Sequence, residues 1–337
     1  MKGLVSATVR EAPAQGQRFE GRDLEVCEPF VIRGLCAQWP SVGGTGRETD
    51  WLARYLAEMD TGRNAQCFVG DAETGGRYYY TDDLDGFNFT RETMSLSAAI
   101  ERIRECARDP AKGSIYLGSV PVAEHIPAFA GDNLVEGLPA GTEPRIWIGN
   151  RSRVSCHFDT FDNLACVVAG RRRFTLYPPE LIGDLYVGPI DHTMAGQPVS
   201  LAASSAPGDP RFPRFDAVRG RALTVELGPG DALYLPKLWW HEIEASGEFN
   251  VLVNYWFDAF RQGPDAPFTA MMLALLAIAE RPPGERAAWK AFFDHYVFRP
   301  DGHPLQHLPA SQHGILGPLD RENRARLRAS VMQQLRG

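Results

Sequence analysis

Short alternating or continuous apolar runs dominate the chain from about residue 145 onward, at 145–148, 164–168, 173–177, 222–227, 232–235, 242–245 and 251–257. Gly, Pro and Asp punctuate them, and short strands separated by turn residues predict a sandwich or a barrel. Ahead of this block the pattern is mixed. Residues 29–35 (PFVIRGL) read as a strand, while Trp51, Leu52, Tyr55, Leu56 and Met59 recur at helical spacing, as do the apolar positions of 96–106. Further strands are predicted at 67–69, 78–80 and 114–117, the first two joined in hairpin fashion through Gly75-Gly76. Between Pro178 and Gly220 periodicity gives way to a long Pro/Gly-rich excursion. Loops of that length in a compact domain are lids, binding segments or disordered. After Pro267 the pattern turns helical, over 268–280, 285–293 and 321–335.

Composition narrows the classes. Hydrophobic residues make up 44% and charged residues 23% of 337, an ordinary globular balance, and the length permits a full core. The net charge of −7 argues against a nucleic-acid partner, although Arg171, Arg172 and Arg173 form a local basic run. No apolar window is long enough to predict a membrane span, and MKGLVSATVREAPAQGQ lacks the apolar run of a secretory leader. Six cysteines without a C-x-x-C pair read as reduced thiols, which makes a cytoplasmic location the expectation.

The candidate chemistry centres on His157-Phe158-Asp159. In a strand, residues i and i+2 share a face, so the imidazole and the carboxylate would project together while Phe158 points away. A third ligand from a neighbouring strand would complete a two-histidine, one-carboxylate triad with open positions, the signature of non-haem Fe(II) oxygenases. An isolated H-x-D is weak evidence, because most are hydrogen-bonded or surface residues. His241 strengthens it. It follows the turn LGPGD (227–231), the apolar run ALYLP (232–236) and KLWW (237–240), which place it at the end of a strand. Alone, it reads more simply as a core histidine hydrogen-bonded to backbone.

Four motifs in order resemble the jumonji-C, or cupin-like, family of Fe(II)/2-oxoglutarate oxygenases, which includes protein hydroxylases and histone demethylases. They are RIWIGN (145–150), CHFDTFDNLACVVAGRRRFTLYPP (156–179), LGPGDALYLPKLWWHEIEA (227–245) and NVLVNYWF (250–257), with a looser match at PFVIRGLCAQWP. The texture is that of bacterial cupin-like proteins. The resemblance implies a mainly β fold with flanking helices: a double-stranded β-helix (jumonji/cupin barrel) behind an α/β N-terminal region and ahead of a helical tail. It implies a catalytic domain over 1–264, with its barrel core at about 114–260, and a C-terminal helical region over 265–337. It further implies Fe(II) on His157, Asp159 and His241, with 2-oxoglutarate as cosubstrate and O2 as oxidant. Asn163 matches an asparagine beside the cosubstrate, and Asn254, with Trp256 on the same strand, a second polar residue near the site. Arg172 stands where many relatives carry a lysine that pairs with the distal carboxylate, and Tyr116 resembles a tyrosine that hydrogen-bonds it. Strand alternation puts Arg172, Phe174 and Leu176 on one face and Arg171, Arg173 and Thr175 on the other. Val154 occupies a position where relatives often have threonine, so one hydrogen bond to the cosubstrate is lost.

The implied activity is hydroxylation of a protein or peptide side chain. Two other readings compete: a cupin-like barrel that binds a metal or small ligand without turnover, and a zinc hydrolase, for which three ligands and an open position also suffice. Tyr78, Tyr79 and Tyr80 read as an alternating strand, one of them able to line a groove. His303 and His307 have helical metal spacing, but Pro304 makes an irregular loop the simpler reading. Phe268, Met271, Met272, Leu275 and Leu276 form a helical apolar stripe, either packed on the barrel or, as in relatives, a homodimer face.

Overall fold

A computed structural model describes residues 7–13, 16–21, 24–43, 49–260 and 263–336. Residues 1–6, 14 and 15 of the stretch MKGLVSATVREAPAQGQ lie outside them. The chain divides into two compact units, 1–261 and 262–337.

Eight strands of the first unit build a double-stranded β-helix. Successive strands switch between two facing sheets, except Arg172–Tyr177 and Leu223–Leu227, which are neighbours in one sheet. One sheet orders Leu223–Leu227, Arg172–Tyr177, Trp240–Ala245 and Ser152–His157; the other orders Ala232–Leu235, Asp162–Ala169, Asn250–Phe257 and Pro144–Gly149. Adjacent barrel strands run antiparallel throughout. N-terminal strands extend the two sheets to six and nine strands.

The continuous apolar runs have a simple cause. Leu164, Cys166 and Val168 face a core shared with the N-terminal helices, while Ala165 and Val167 on the same strand face the barrel interior with Phe174, Leu176 and Leu233. A strand buried on both faces has no polar side to show. Outside it, the helix Leu96–Arg108 is capped by Ser95, whose side chain accepts from Ala98 N, and buries Leu96, Ala99, Ile100 and Ile103. These positions form one stripe of a 3.6-residue repeat. Thr49–Glu58 packs into the same core through Leu52 and Leu56.

One expectation is corrected, and two features without a periodic signal are added. Strand Asn64–Gly70 does not pair with residues 78–80 in a hairpin. A short 3-10 turn, Ala72–Thr74, carries the chain across to the other sheet, where Arg77–Tyr78 pairs in parallel with Ser152–His157. Gly76 has φ +78° and passes so close to the Arg151 carbonyl that a Cβ would stand 2.4 Å from it. Its antiparallel partners are Ser114–Pro121 and Thr90–Ser95 (TRETMS), the latter a polar edge strand without an apolar alternation to reveal it. Finally, the 178–220 excursion is not featureless. It contains a 3-10 turn, Pro179–Gly183, and a helix, Pro213–Val218, and buries Leu181, Leu185, Ala202 and Phe215 against Cys156, Tyr177 and Trp240.

All six cysteines are free, and all but Cys27 are buried. No described helix is long and apolar enough to cross a membrane. The second unit comprises helices Pro267–Ile278, Pro283–Phe293 and Arg321–Leu335, the last capped by Asp320, with irregular turns between. His303 and His313 stack there at 4.3 Å. Both nitrogens of His303 are engaged by backbone, Nε2 with Leu316 O and Nδ1 with Leu305 N, so it has no lone pair for a metal.

Candidate metal centre

Strands Ser152–His157 and Trp240–Ala245 pair in register so that His157 lies directly opposite His241. Their ring centroids are 4.3 Å apart. Asp159 joins them, and the ligand atoms of all three lie within 4.8 Å of one another; this is the one such cluster among the described residues. The expected geometry needs one adjustment. The strand ends at His157, so Asp159 is not a strand residue but sits in the turn that follows. Its carbonyl accepts from Leu238 N at 2.8 Å, which ties it to the turn preceding His241. Phe158 points away, as alternation predicts, and packs edge-on against Trp240.

Both imidazoles are set in the tautomer that a metal needs. Nδ1 of His157 donates to Ser155 O at 2.8 Å, and Nδ1 of His241 donates to Trp239 O at 2.9 Å. A carbonyl can only accept, so each ring keeps its Nε2 lone pair for a cation. His241 is 2% exposed. Burial, reinforced by the neighbouring His157, pushes its pKa down to about 4, which leaves the ring neutral near pH 7. Its Nε2 lies 3.9 Å from Asp159 Oδ2.

The carboxylate is oriented by a chain of hydrogen bonds. Trp256 Nε1 donates to Asp159 Oδ2 at 3.1 Å, and Asn163 Nδ2 reaches the same oxygen at 3.4 Å. Asn163 in turn accepts from Asn254 Nδ2 at 3.1 Å, and Asn254 accepts from Trp147 Nε1 at 2.6 Å. Asn163 and Asn254, expected beside a cosubstrate, both line the cavity and also form this relay to the carboxylate. Trp256, noted in the sequence only as a strand neighbour, supplies the shorter of the two contacts to Asp159.

The triad opens into a cavity of about 130 Å³. Arg172 enters it from the far side, while Arg171 and Arg173 face outward and are exposed. Arg172 is 2% exposed, and its Nε and Nη2 are buried without a hydrogen-bond partner. The Tyr116 hydroxyl accepts a hydrogen bond from the guanidinium, and burial lowers the guanidinium pKa and raises the phenol's. A guanidinium with two unpaired N–H groups in a low-dielectric cavity calls for a carboxylate taken bidentately. Val154 and Tyr78 line the same space. Tyr80 instead donates to His192 O, holding the excursion over the mouth. From that excursion come Met194, Gln197 and Val199, which sequence reasoning did not single out.

Two imidazoles, one carboxylate and open positions form the donor set that holds Fe(II) in jumonji-type barrels. The comparisons agree with the architecture. The cupin-like domain family's profile matches residues 17–263, and the chain belongs to this jumonji-C-type cupin-like family. Among curated proteins it is similar to HSPB1-associated protein 1 of Bos taurus, 30% identical over 82% of this chain and 63% of that protein. It is also similar to the lysine-specific demethylase JMJ31 of Arabidopsis thaliana, 32% identical over 68% of this chain and 46% of the relative. The Jumonji C domain-containing protein 5 of Drosophila melanogaster is 23% identical over 72% and 57%. The chain therefore spans less than two thirds of the length of these relatives.

Proposed function

We propose that this chain is an Fe(II)- and 2-oxoglutarate-dependent oxygenase that hydroxylates a protein or peptide side chain. The observation that carries the proposal is the buried guanidinium of Arg172, its Nε and Nη2 unpaired, facing the same cavity as the His157/Asp159/His241 cluster. A metal-binding module needs only the triad, and hydrolysis at a zinc does not itself require a second, inward-facing anion site. The pair together suits a small dicarboxylate whose one end reaches the metal and whose other end meets Arg172.

His157, Asp159 and His241 would hold Fe(II), and Arg172 with Tyr116 would hold the distal carboxylate of 2-oxoglutarate. Bound iron supplies oxygen activation coupled to oxidative decarboxylation of 2-oxoglutarate to succinate. The remaining work belongs to the protein. Ser155 O and Trp239 O fix both imidazole tautomers, and Trp256 with Asn163 fixes the carboxylate. Leu252, Phe174 and Ile243 give the cavity apolar walls that exclude water from the reacting centre.

The test is incubation of cell extract with the protein, Fe(II), 2-oxoglutarate and labelled O2, followed by mass spectrometry of the proteins. Incorporation of one labelled oxygen into a peptide, absent with Asp159→Ala, supports the reading. Fe(II) and 2-oxoglutarate binding without label in any product would instead make the chain a binding module.

A further inference from the structure

Arg145 and Trp147 stand two residues apart on strand Pro144–Gly149 and share a face, and the neighbouring strand Asn250–Phe257 sets Asn254 opposite Arg145. Asn254 and Trp256 share a face in the same way. The four side chains meet. Trp147 Nε1 donates to Asn254, Trp147 and Trp256 pack edge to face with centroids 5.8 Å apart, and the Arg145 guanidinium lies 5.7 Å over the Trp256 ring. Trp256 is the closer donor to Asp159, and Asn254 leads to the same carboxylate oxygen through Asn163. Both arms that orient the carboxylate therefore run back to Pro144–Gly149. Asp159 needs them, because it sits in a turn beyond the end of its strand.

An irregularity in strand Ser114–Pro121 holds Arg145 in place. Leu117 pairs with Ile148 and Val120 with Ile146, so Gly118 and Ser119 together stand opposite Trp147. Such a bulge breaks alternation and re-aims side chains, and here it brings Ser119 to Arg145. Arg145 Nε donates to Ser119 Oγ at 2.5 Å and Nη2 to Ser119 O at 2.8 Å. Ser119 takes φ +57°, a left-handed conformation unfavourable for serine that persists only where its surroundings impose it. Gly118 leaves room for the other arm, since a Cβ there would stand 3.2 Å from the Trp147 ring and 3.3 Å from Phe68. Among the described residues all hydrogen bonds of Arg145 go to Ser119, a neutral partner, so its charge faces the indole without a carboxylate to neutralise it.

We infer that Arg145 is a positioning residue for the metal carboxylate and acts through Trp256. A cation over an aromatic face is attracted by the ring quadrupole. It draws electron density from the indole, which makes Nε1–H a stronger donor, and it fixes the ring plane so that this N–H stays aimed at Asp159. The inference rests on the metal-centre part of the proposed function and is independent of the oxygen chemistry.

The test is a double-mutant cycle on the full chain. The Mn(II) dissociation constant is read by competition with a chelator, and the metal-free melting midpoint is read alongside. Arg145→Met removes the charge at similar length and should weaken Mn(II) binding about fivefold, the effect of one cation–π contact. Trp256→Phe should weaken it about tenfold. The double variant should bind no more weakly than Trp256→Phe, because a phenyl ring has no N–H to direct and the two losses are then one. Arg145→Lys keeps a cation over the ring and should bind within about twofold of wild type. Unchanged affinity in Arg145→Met, with or without a lower melting midpoint, overturns the assignment. So does a double variant about fiftyfold weaker than wild type, the result for independent losses, or an Arg145→Lys as weak as Arg145→Met. A wild type that takes up no Mn(II) overturns the metal reading and this inference with it, whereas uptake with an additive cycle overturns this inference alone.

Discussion

Truncating Arg172 separates cosubstrate anchoring from metal binding. The guanidinium is 2% exposed, leaves Nε and Nη2 unpaired, and is hydrogen-bonded to the Tyr116 hydroxyl. A carboxylate facing it would satisfy both N–H groups at once. Removing one partner of such a buried, charge-assisted pair costs about 2–5 kcal/mol, a loss of roughly thirtyfold or more in affinity. Arg172→Ala should therefore weaken 2-oxoglutarate binding by at least that factor, measured by calorimetric titration of the Mn(II)-loaded protein under argon. Metal affinity should be nearly unchanged, because Arg172 enters four residues inward of the triad. Arg172→Lys should recover part of the loss, restoring charge without the bidentate fork. A second sign follows from the same geometry. An uncompensated buried charge destabilises the ligand-free fold, so the near-isosteric Arg172→Met should melt no lower than wild type without 2-oxoglutarate, yet gain less from adding it. Unchanged 2-oxoglutarate affinity in Arg172→Ala would refute the reasoning and move the anchor elsewhere.

Further consequences are testable in the same way. His157→Ala, Asp159→Ala and His241→Ala should each abolish stoichiometric Fe(II) uptake while the circular dichroism stays native, since a three-ligand site has no spare donor; full uptake by Asp159→Ala would remove the triad. Trp256→Phe deletes the closer donor to Asp159 and should weaken metal binding by about tenfold, read by competition with a chelator; an unchanged constant would make that hydrogen bond incidental. Met271, Met272 and Leu275 are exposed, and Leu276 is 83% exposed. We propose that this stripe is a homodimer face, so light scattering should give a dimer at micromolar concentration and a monomer for Leu276→Glu, and a wild-type monomer would dismiss it.

The parts legible in the sequence are those governed by short-range periodicity. Strand alternation separated Arg172 from Arg171 and Arg173, and the family resemblance chose the inward face, which the structure shows buried. That separation follows from a repeat of two residues and needs no knowledge of distant segments, whereas the register that sets His157 opposite His241 joins strands far apart in the chain and reached the sequence reading only through the resemblance. Asp159 was recognisable as a ligand candidate although its strand assignment was not, because the turn holding it depends on Leu238, 79 positions away in the chain. Gln197 was invisible for the same reason. The 178–220 excursion has no period of its own and is ordered by Leu181, Leu185, Ala202 and Phe215 packing on Tyr177 and Trp240. The edge strand Thr90–Ser95 escaped notice because its fold comes from backbone pairing with Asn64–Gly70, not from side-chain burial.

The most direct test of the oxygenase reading is the conversion of 2-oxoglutarate by the purified chain. With Fe(II), O2, 2-oxoglutarate and ascorbate as the reductant that takes up the second oxygen's oxidising equivalents when no peptide is present, succinate and CO2 should form in equal amounts at a slow rate, and none should form with Asp159→Ala. A wild-type protein that binds both Fe(II) and 2-oxoglutarate at this site, yet forms no succinate either alone or with cell extract as a source of substrate, would contradict it.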